Sequence, residues 1–171
     1  MKPVDEQEYV DYVSVRLPKL HQAAYLLTGD GHRADDIVQA TLAGLYRYWA
    51  KARAAGNIDG YVHRMLVRKF LDEQRLAWSR VLLGWRAPDR AAPSAGSVEE
   101  QDRVQAALRR LPRGQRAVLV LRFLCDQSVE DTAVTLRCST GNVKSQTARA
   151  LEAMRALLAE VPAEVDAGSI S

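Results

Sequence analysis

Cysteine is scarce in this sequence. The chain has 171 residues and only Cys125 and Cys138. They form no CxxC pair, and the histidines, His21, His32 and His63, lie far from them in sequence. A zinc site needs four ligands at recognisable spacing, so that class is excluded. What remains is a pair of thiols in a reducing cytosol. Aromatic residues make up only 6%, and β-branched residues other than Val are few, which argues against a strand-rich fold. No apolar run approaches the roughly 20 residues that span a bilayer. Residues Met1 to Glu6 contain no apolar signal region, so a cytoplasmic protein without membrane insertion is expected. There is no Gly-rich phosphate loop, nucleophile–base pair or metal spacing. The acids Asp35 and Asp36 are adjacent, so on a helix they point in different directions. An enzyme is therefore not expected, nor is a cofactor.

What is present favours helices. Apolar residues reach 47%, enough for a core, and Ala, Leu and Arg, all good helix formers, dominate with Val. The 24 Lys and Arg exceed the 21 Asp and Glu for a net charge of +3, which permits a nucleic-acid partner without demanding one.

The expected fold is all-α: two small helical domains joined by a flexible linker, the second containing a helix-turn-helix. The first block covers residues 6–83. Its first helix spans about Glu6 to Leu27, kinked or divided by Pro18, and stops at the turn cluster Thr28-Gly29-Asp30-Gly31. A second helix runs from about His32 to Lys51. Ile37, Val38, Thr41, Leu42, Leu45, Tyr46 and Trp49 form its apolar stripe. Asp35, Asp36, Gln39 and Arg47 occupy the other face. Asn57 or Asp59 could cap a third helix, about Gly60 to Trp78. Residues 84–97 hold two prolines, two glycines and two serines and read as a linker.

The second block covers 98–160. One helix carries Val104, Ala107, Leu108 and Leu111. Pro112 and Gly114 interrupt, and a second helix spans about Gln115 to Cys125. A short third helix, Val129 to Leu136, opens on Ser128 with Asp131 three residues on, which resembles a capping box. After Arg137-Cys138-Ser139 the last helix runs from Thr140 to about Ala159. Pro162 stops it, and 161–171 reads as a disordered tail. Short helix, tight turn and longer helix from Ser128 to Arg149 make a helix-turn-helix candidate. Val143, Thr147, Ala150 and Met154 face inward. Asn142, Lys144, Ser145, Gln146 and Arg149 lie on the opposite face, where they can read base edges or hold phosphates. The same pattern also fits an amphipathic helix with a solvated polar face.

Longer runs carry a resemblance. Leu111-Pro112-Arg113-Gly114-Gln115-Arg116-Ala117-Val118-Leu119-Val120-Leu121-Arg122-Phe123, Val129-Glu130-Asp131-Thr132-Ala133 and Cys138-Ser139-Thr140-Gly141-Asn142-Val143-Lys144-Ser145-Gln146 resemble region 4 of the extracytoplasmic-function sigma factors. Tyr25-Leu26-Leu27-Thr28-Gly29-Asp30, Ala34-Asp35-Asp36-Ile37-Val38-Gln39 and Gly60-Tyr61-Val62-His63-Arg64-Met65-Leu66-Val67-Arg68 resemble region 2. The likeness extends from about Glu8 to Leu158, and within the family it points to the actinobacterial SigE-like group. It implies an RNA polymerase sigma factor that directs promoter-specific initiation. The implied partners are core RNA polymerase (its β′ clamp helices and β flap), promoter DNA and an anti-sigma factor. It further implies polymerase docking through Asp35, Asp36 and Gln39, where carboxylates meet basic residues. Arg64, Arg68, Lys69 and Arg75 would face the −10 element, with a base flipped into a pocket near 51–59. Arg137, Thr140, Asn142, Lys144, Ser145, Gln146 and Arg149 would face the −35 element.

This sequence departs from the family pattern at Ala40, where an acid is frequent, at Lys69, where asparagine is frequent, and at Arg137, where glycine suits a left-handed turn. A stand-alone helix-turn-helix regulator is the alternative; it would shift its operator without polymerase. A helical interaction module would tolerate loss of Lys144 and Arg149.

Overall fold

The computed structural model describes the backbone of residues 3–82 and 100–160, with side chains over 5–73 and 102–160. The expected linker 84–97, the expected tail 161–171 and the Arg75 side chain lie outside the described residues. The described residues are helical and contain no strand.

In the first block, α1 (Pro3–Thr28), α2 (Gly31–Arg47), α3 (Trp49–Ala54) and α4 (Ile58–Leu82) follow one another. Helix α1 continues through Pro18 and is not divided there. It buries Leu20, Ala23, Ala24 and Leu27, the i, i+3, i+4, i+7 set of one helix face. Gly29, at φ 67°, makes the left-handed turn that a side chain resists. Asp30 then caps α2 by accepting from the amides of His32 and Arg33, two of the donors every helix start leaves free. Helix α2 buries Ala34, Ile37, Val38, Thr41 and Leu45. It ends at Arg47, four residues short of the expected Lys51, because Tyr48 at φ −110°, ψ 23° leaves the helical basin. The residues after it form α3. Between the two candidate caps of α4 the amide of Gly60 settles the matter: it donates to Asn57 Oδ1 at 2.9 Å. Asp59 instead ties α4 to α1, accepting from Tyr12 at 2.6 Å and Arg16 at 3.0 Å.

The second block contains α5 (Glu100–Arg110), α6 (Arg113–Leu119), a π-helical segment (Val120–Leu124), α7 (Val129–Leu136) and α8 (Thr140–Ala159). Helix α6 starts directly after Pro112 and takes Gly114 inside it, so only Pro112 interrupts. The expected single helix to Cys125 widens from Val120 onward. The Cys125 amide reaches back five residues to Val120 O at 3.0 Å, and that of Gln127 six to Leu121 O at 2.9 Å. Such π turns let a helix absorb an extra residue. Ser128 caps α7 through the Asp131 amide and Ser139 caps α8 through that of Asn142, so the Ser128 half of the capping box forms.

The two blocks share one core. Ala117, Val120, Leu121 and Cys125 of the second block join Leu20, Leu27, Val38, Leu66, Val67 and Phe70 of the first in one buried cluster. A smaller cluster of Leu108, Leu111, Leu119 and Ala150 binds α5, α6 and α8, with Leu26 of α1 against it.

His63 is 5% exposed in the first-block core and its Nδ1 has no partner. Burial first, then Lys19 and Arg16 against the opposing pull of Asp59, hold its imidazole below the ordinary value. The neutral ring is the folded form. Below about pH 6.5 the unfolded chain takes up a proton that the folded chain refuses. Stability is therefore full above that pH and falls as pH drops toward the folded pKa. Urea melts at successive pH values should show this loss, and His63→Leu should flatten it.

Candidate nucleic-acid interface

Helix α8 is built as a presenting helix. Val143 and Ala150 are fully buried. Thr140, Asn142, Lys144, Ser145 and Arg149 are exposed, and Gln146 and Thr147 are half-buried. The Ser139 cap fixes the α8 start where the first exposed polar residues stand, and the helix N-terminus favours an approaching phosphate. Helix α7 meets α8 through a turn that closes on Arg137 in the left-handed region, φ 55° and ψ 47°. The amides of Arg137 and Cys138 donate back to Val134 O and Ala133 O at 3.3 and 3.1 Å, the pair of bonds of a Schellman ending. Glycine would take this conformation freely, whereas a side chain there costs about 1–2 kcal/mol. Arg137→Gly should therefore raise the unfolding free energy by about 1 kcal/mol, seen as a higher urea midpoint. It should also reduce the salt dependence of DNA binding if the exposed guanidinium meets a phosphate. Paired melts and salt titrations measure the two effects separately.

On α4, Arg64, Arg68 and Lys69 are half-buried. Arg68 Nη2 donates to Val134 O on α7 at 3.3 Å. Burial, then Arg137 and Arg64, hold its guanidinium below the ordinary arginine range. The stretch 51–59 suggested as a base pocket is partly α3, with the turn confined to residues 55–57. On α2, Asp35, Asp36 and Gln39 are all exposed, and Asp35 meets His21 Nδ1 at 3.2 Å. Ala40, at the departing position, is exposed beside them.

The polar face of α8 and the α4 arginines thus come together around α7, while the α2 acids form a separate exposed patch. Sequence reasoning missed the residues that join the blocks, Gln105, Arg109, Arg113 and Arg116. Arg116 is 8% exposed, donating to Leu27 O across the blocks and to Arg109 O and Leu111 O within its own. Only the apolar run around it, Ala117 to Leu121, hinted that this arginine would be buried.

An all-helical pair of blocks, the second ending in a helix-turn-helix with an exposed polar face, is the architecture of the helix-turn-helix class. Comparison with known proteins makes this specific. The sigma-70 region 2 family matches residues 13–80, and the sigma-70 region 4 family matches residues 101–154. The chain is 32% identical over 140 residues to the ECF RNA polymerase sigma factor SigM of Mycobacterium tuberculosis, covering 82% of this chain and 71% of that protein. It is 30% identical over 154 residues to the RNA polymerase sigma-E factor of Streptomyces coelicolor, covering 86% and 84%. The sigma factor RpoE of Bartonella quintana, solved in complex with the anti-sigma factor NepR, superposes with a TM-score of 0.75 at 26% identity, over 91% of this chain and 99% of that one. The chain belongs to the extracytoplasmic-function sigma factors of the sigma-70 family. It is an RNA polymerase sigma factor, a transcription initiation factor whose partners are RNA polymerase and promoter DNA. Among the described residues no helix is long and apolar enough to cross a membrane.

Proposed function

We propose that α8 enters the major groove of the −35 element, that α4 faces the opened −10 strand, and that the α2 acids dock on the polymerase. The observation that carries this reading is the division of α8. Its buried side is Val143 and Ala150, and its exposed side is Thr140, Asn142, Lys144, Ser145 and Arg149, donors and acceptors suited to base edges and phosphates. Arg137 and the half-buried Gln146 flank that side. Arg64, Arg68 and Lys69, with Arg75 further along α4, supply cations for the −10 strand. Asp35, Asp36 and Gln39, all exposed on α2, meet basic residues on the β′ clamp helices, and region 4 meets the β flap. The domain division follows the same plan: 6–83 for polymerase and −10, 84–97 as linker, 98–160 for −35, and 161–171 as a tail. The chain carries out no chemistry of its own and works in the cytoplasm with the polymerase. An anti-sigma factor is a further partner, by analogy with the RpoE–NepR complex.

Run-off transcription with sigma-free bacterial core polymerase on a genomic promoter library tests the reading. Transcripts sharing −35 and −10 elements are expected. Loss of polymerase binding on Asp35→Lys/Asp36→Lys, with folding intact, is the companion result. A chain that shifts promoter duplex alone and gives no transcripts with core would instead be a stand-alone regulator.

A further inference from the structure

Cations gather where the turn after α1 meets α5 and α6. Arg109 of α5 lies over Gly29 so closely that a Cβ there would stand 2.4 Å from its Nε. Arg116 of α6 donates to Leu27 O just before that turn, and to Arg109 O at 3.0 Å. Arg33 follows the turn, its amide donating to Asp30 Oδ1 at 3.2 Å. The Arg33 guanidinium lies 3.4 Å from Glu73 on α4. Arg113 stacks 5.1 Å from the ring of Phe70, which stands one turn from Glu73 on the same helix face. Four guanidiniums thus border one short turn, with Glu73 among them.

The cluster is short of negative charge. Among the described residues, the pair of Arg33 with Glu73 is the only ion pair that any of the four makes. Arg116 is 8% exposed, and its hydrogen bonds all go to carbonyl oxygens. Arg109 Nε, Arg113 Nη1 and Arg116 Nε are buried and have no hydrogen-bond partner among the described residues. Buried N–H donors are nearly always satisfied, and buried charges are as a rule paired. The cations also act on one another. Burial first, then Arg33 and Arg109, hold the Arg116 guanidinium below the ordinary arginine range. An anion seated among them would offset that repulsion and accept from the unspent donors. Arg33, Arg109 and Arg113 are half-buried, so the cluster is open to a solute.

We propose that Arg33, Arg109, Arg113 and Arg116 form a binding site for a diphosphate group, free or carried by a nucleotide. Guanidinium forks match pairs of phosphate oxygens. A diphosphate brings several such pairs to cations that stand on α2, α5 and α6, whereas a carboxylate offers a single pair, as Glu73 does to Arg33. Tyr25 is 38% exposed and its hydroxyl accepts from Arg109 Nη2 at 3.4 Å. That places an aromatic ring beside the cations, a surface on which a nucleotide base can stack. None of the four arginines is among the residues assigned above to promoter DNA or to the polymerase.

The test titrates the full chain with inorganic pyrophosphate and, separately, with GDP, at an ionic strength held constant with sodium chloride. Calorimetry should show one site for pyrophosphate with a dissociation constant below about 1 mM. The urea midpoint should rise with the logarithm of pyrophosphate concentration, and chloride at equal ionic strength should not raise it. Arg109→Gln/Arg113→Gln should weaken binding about tenfold or more, from lost charge-assisted hydrogen bonds. Glu73→Gln removes the competing carboxylate and should tighten binding by about two- to fivefold. That gain keeps the site testable even if the double variant folds poorly. GDP bound more tightly than pyrophosphate, with the difference lost in Tyr25→Leu, assigns the nucleotide form; GDP bound no more tightly assigns the free diphosphate. No binding of either ligand, unchanged affinity in a folded double variant, or no gain in Glu73→Gln would each overturn the site.

Discussion

Lys144→Ala/Arg149→Ala should weaken promoter binding by the sigma–polymerase complex by roughly 30- to 1,000-fold, from about 1–3 kcal/mol for a bidentate base contact plus a lost phosphate contact. The two residues do different work. Arg149 has the forked donors that match a guanine edge, and Lys144 is a point charge suited to a phosphate. Both are exposed on α8, on either side of a seam that Val143 and Ala150 bury. Their removal should leave the fold intact, since exposed substitutions typically change stability by less than about 0.5 kcal/mol. Two measurements separate the roles. Lys144→Ala alone should lower the slope of log affinity against log salt by about 0.9 and weaken all sequences alike. Arg149→Ala alone should relax preference at one base position. Wild-type affinity in the double variant would return the α8 face to a merely solvated surface.

Phe70→Ala should destabilise the chain by about 3–5 kcal/mol, a large part of the roughly 5–15 kcal/mol that holds a domain folded. Phe70 is fully buried in the cluster that both regions share, and its ring carries the Arg113 guanidinium. That guanidinium is already burdened: burial first, then Arg33 and Arg116, bring it down to about 10, with Glu73 opposing. Loss of the ring removes packing and leaves a cation in a partly apolar setting, so the two costs add. Because the cluster spans both regions, the expected melt of the parent chain is a single transition. In Phe70→Ala the region 4 signal should separate from that of region 2. Urea melts followed at one probe in each region measure both effects, and two coincident transitions of unchanged midpoint would contradict the shared core.

Much of this was legible in the chain itself. Of the expected α2 stripe, Ile37, Val38, Thr41 and Leu45 are buried and Leu42 half-buried, while Tyr46 is exposed; of the expected inward face of α8, Val143 and Ala150 are buried and Thr147 and Met154 half-buried. Ser128 and Ser139, read as helix starts, do cap α7 and α8. Arg137, noted where glycine is common, does sit in the left-handed region. The errors have local causes. The expected second helix runs through Tyr48 because Trp49 continues the apolar stripe, whereas the Tyr48 backbone leaves the helical basin. Of the two outcomes expected at Pro18, a kink or a division, division does not occur, since α1 continues through it. The π segment at Val120 has no distinguishing residue, since its apolar side chains suit either helical pitch.

The sequence by itself determined an all-helical chain in two blocks, the capped helix-turn-helix and its polar face, because helical periodicity, caps and turn residues act over a few positions. Only the tertiary structure decided that Arg116 would be buried on the Leu27 carbonyl, that Val120 and Leu121 would complete the core of the other block, and that Arg68 would face α7. The two hydrogen bonds among them join residues 66 and 89 positions apart. Nothing in either local pattern names its partner, so the pairing follows from how the apolar faces of the two blocks fit together.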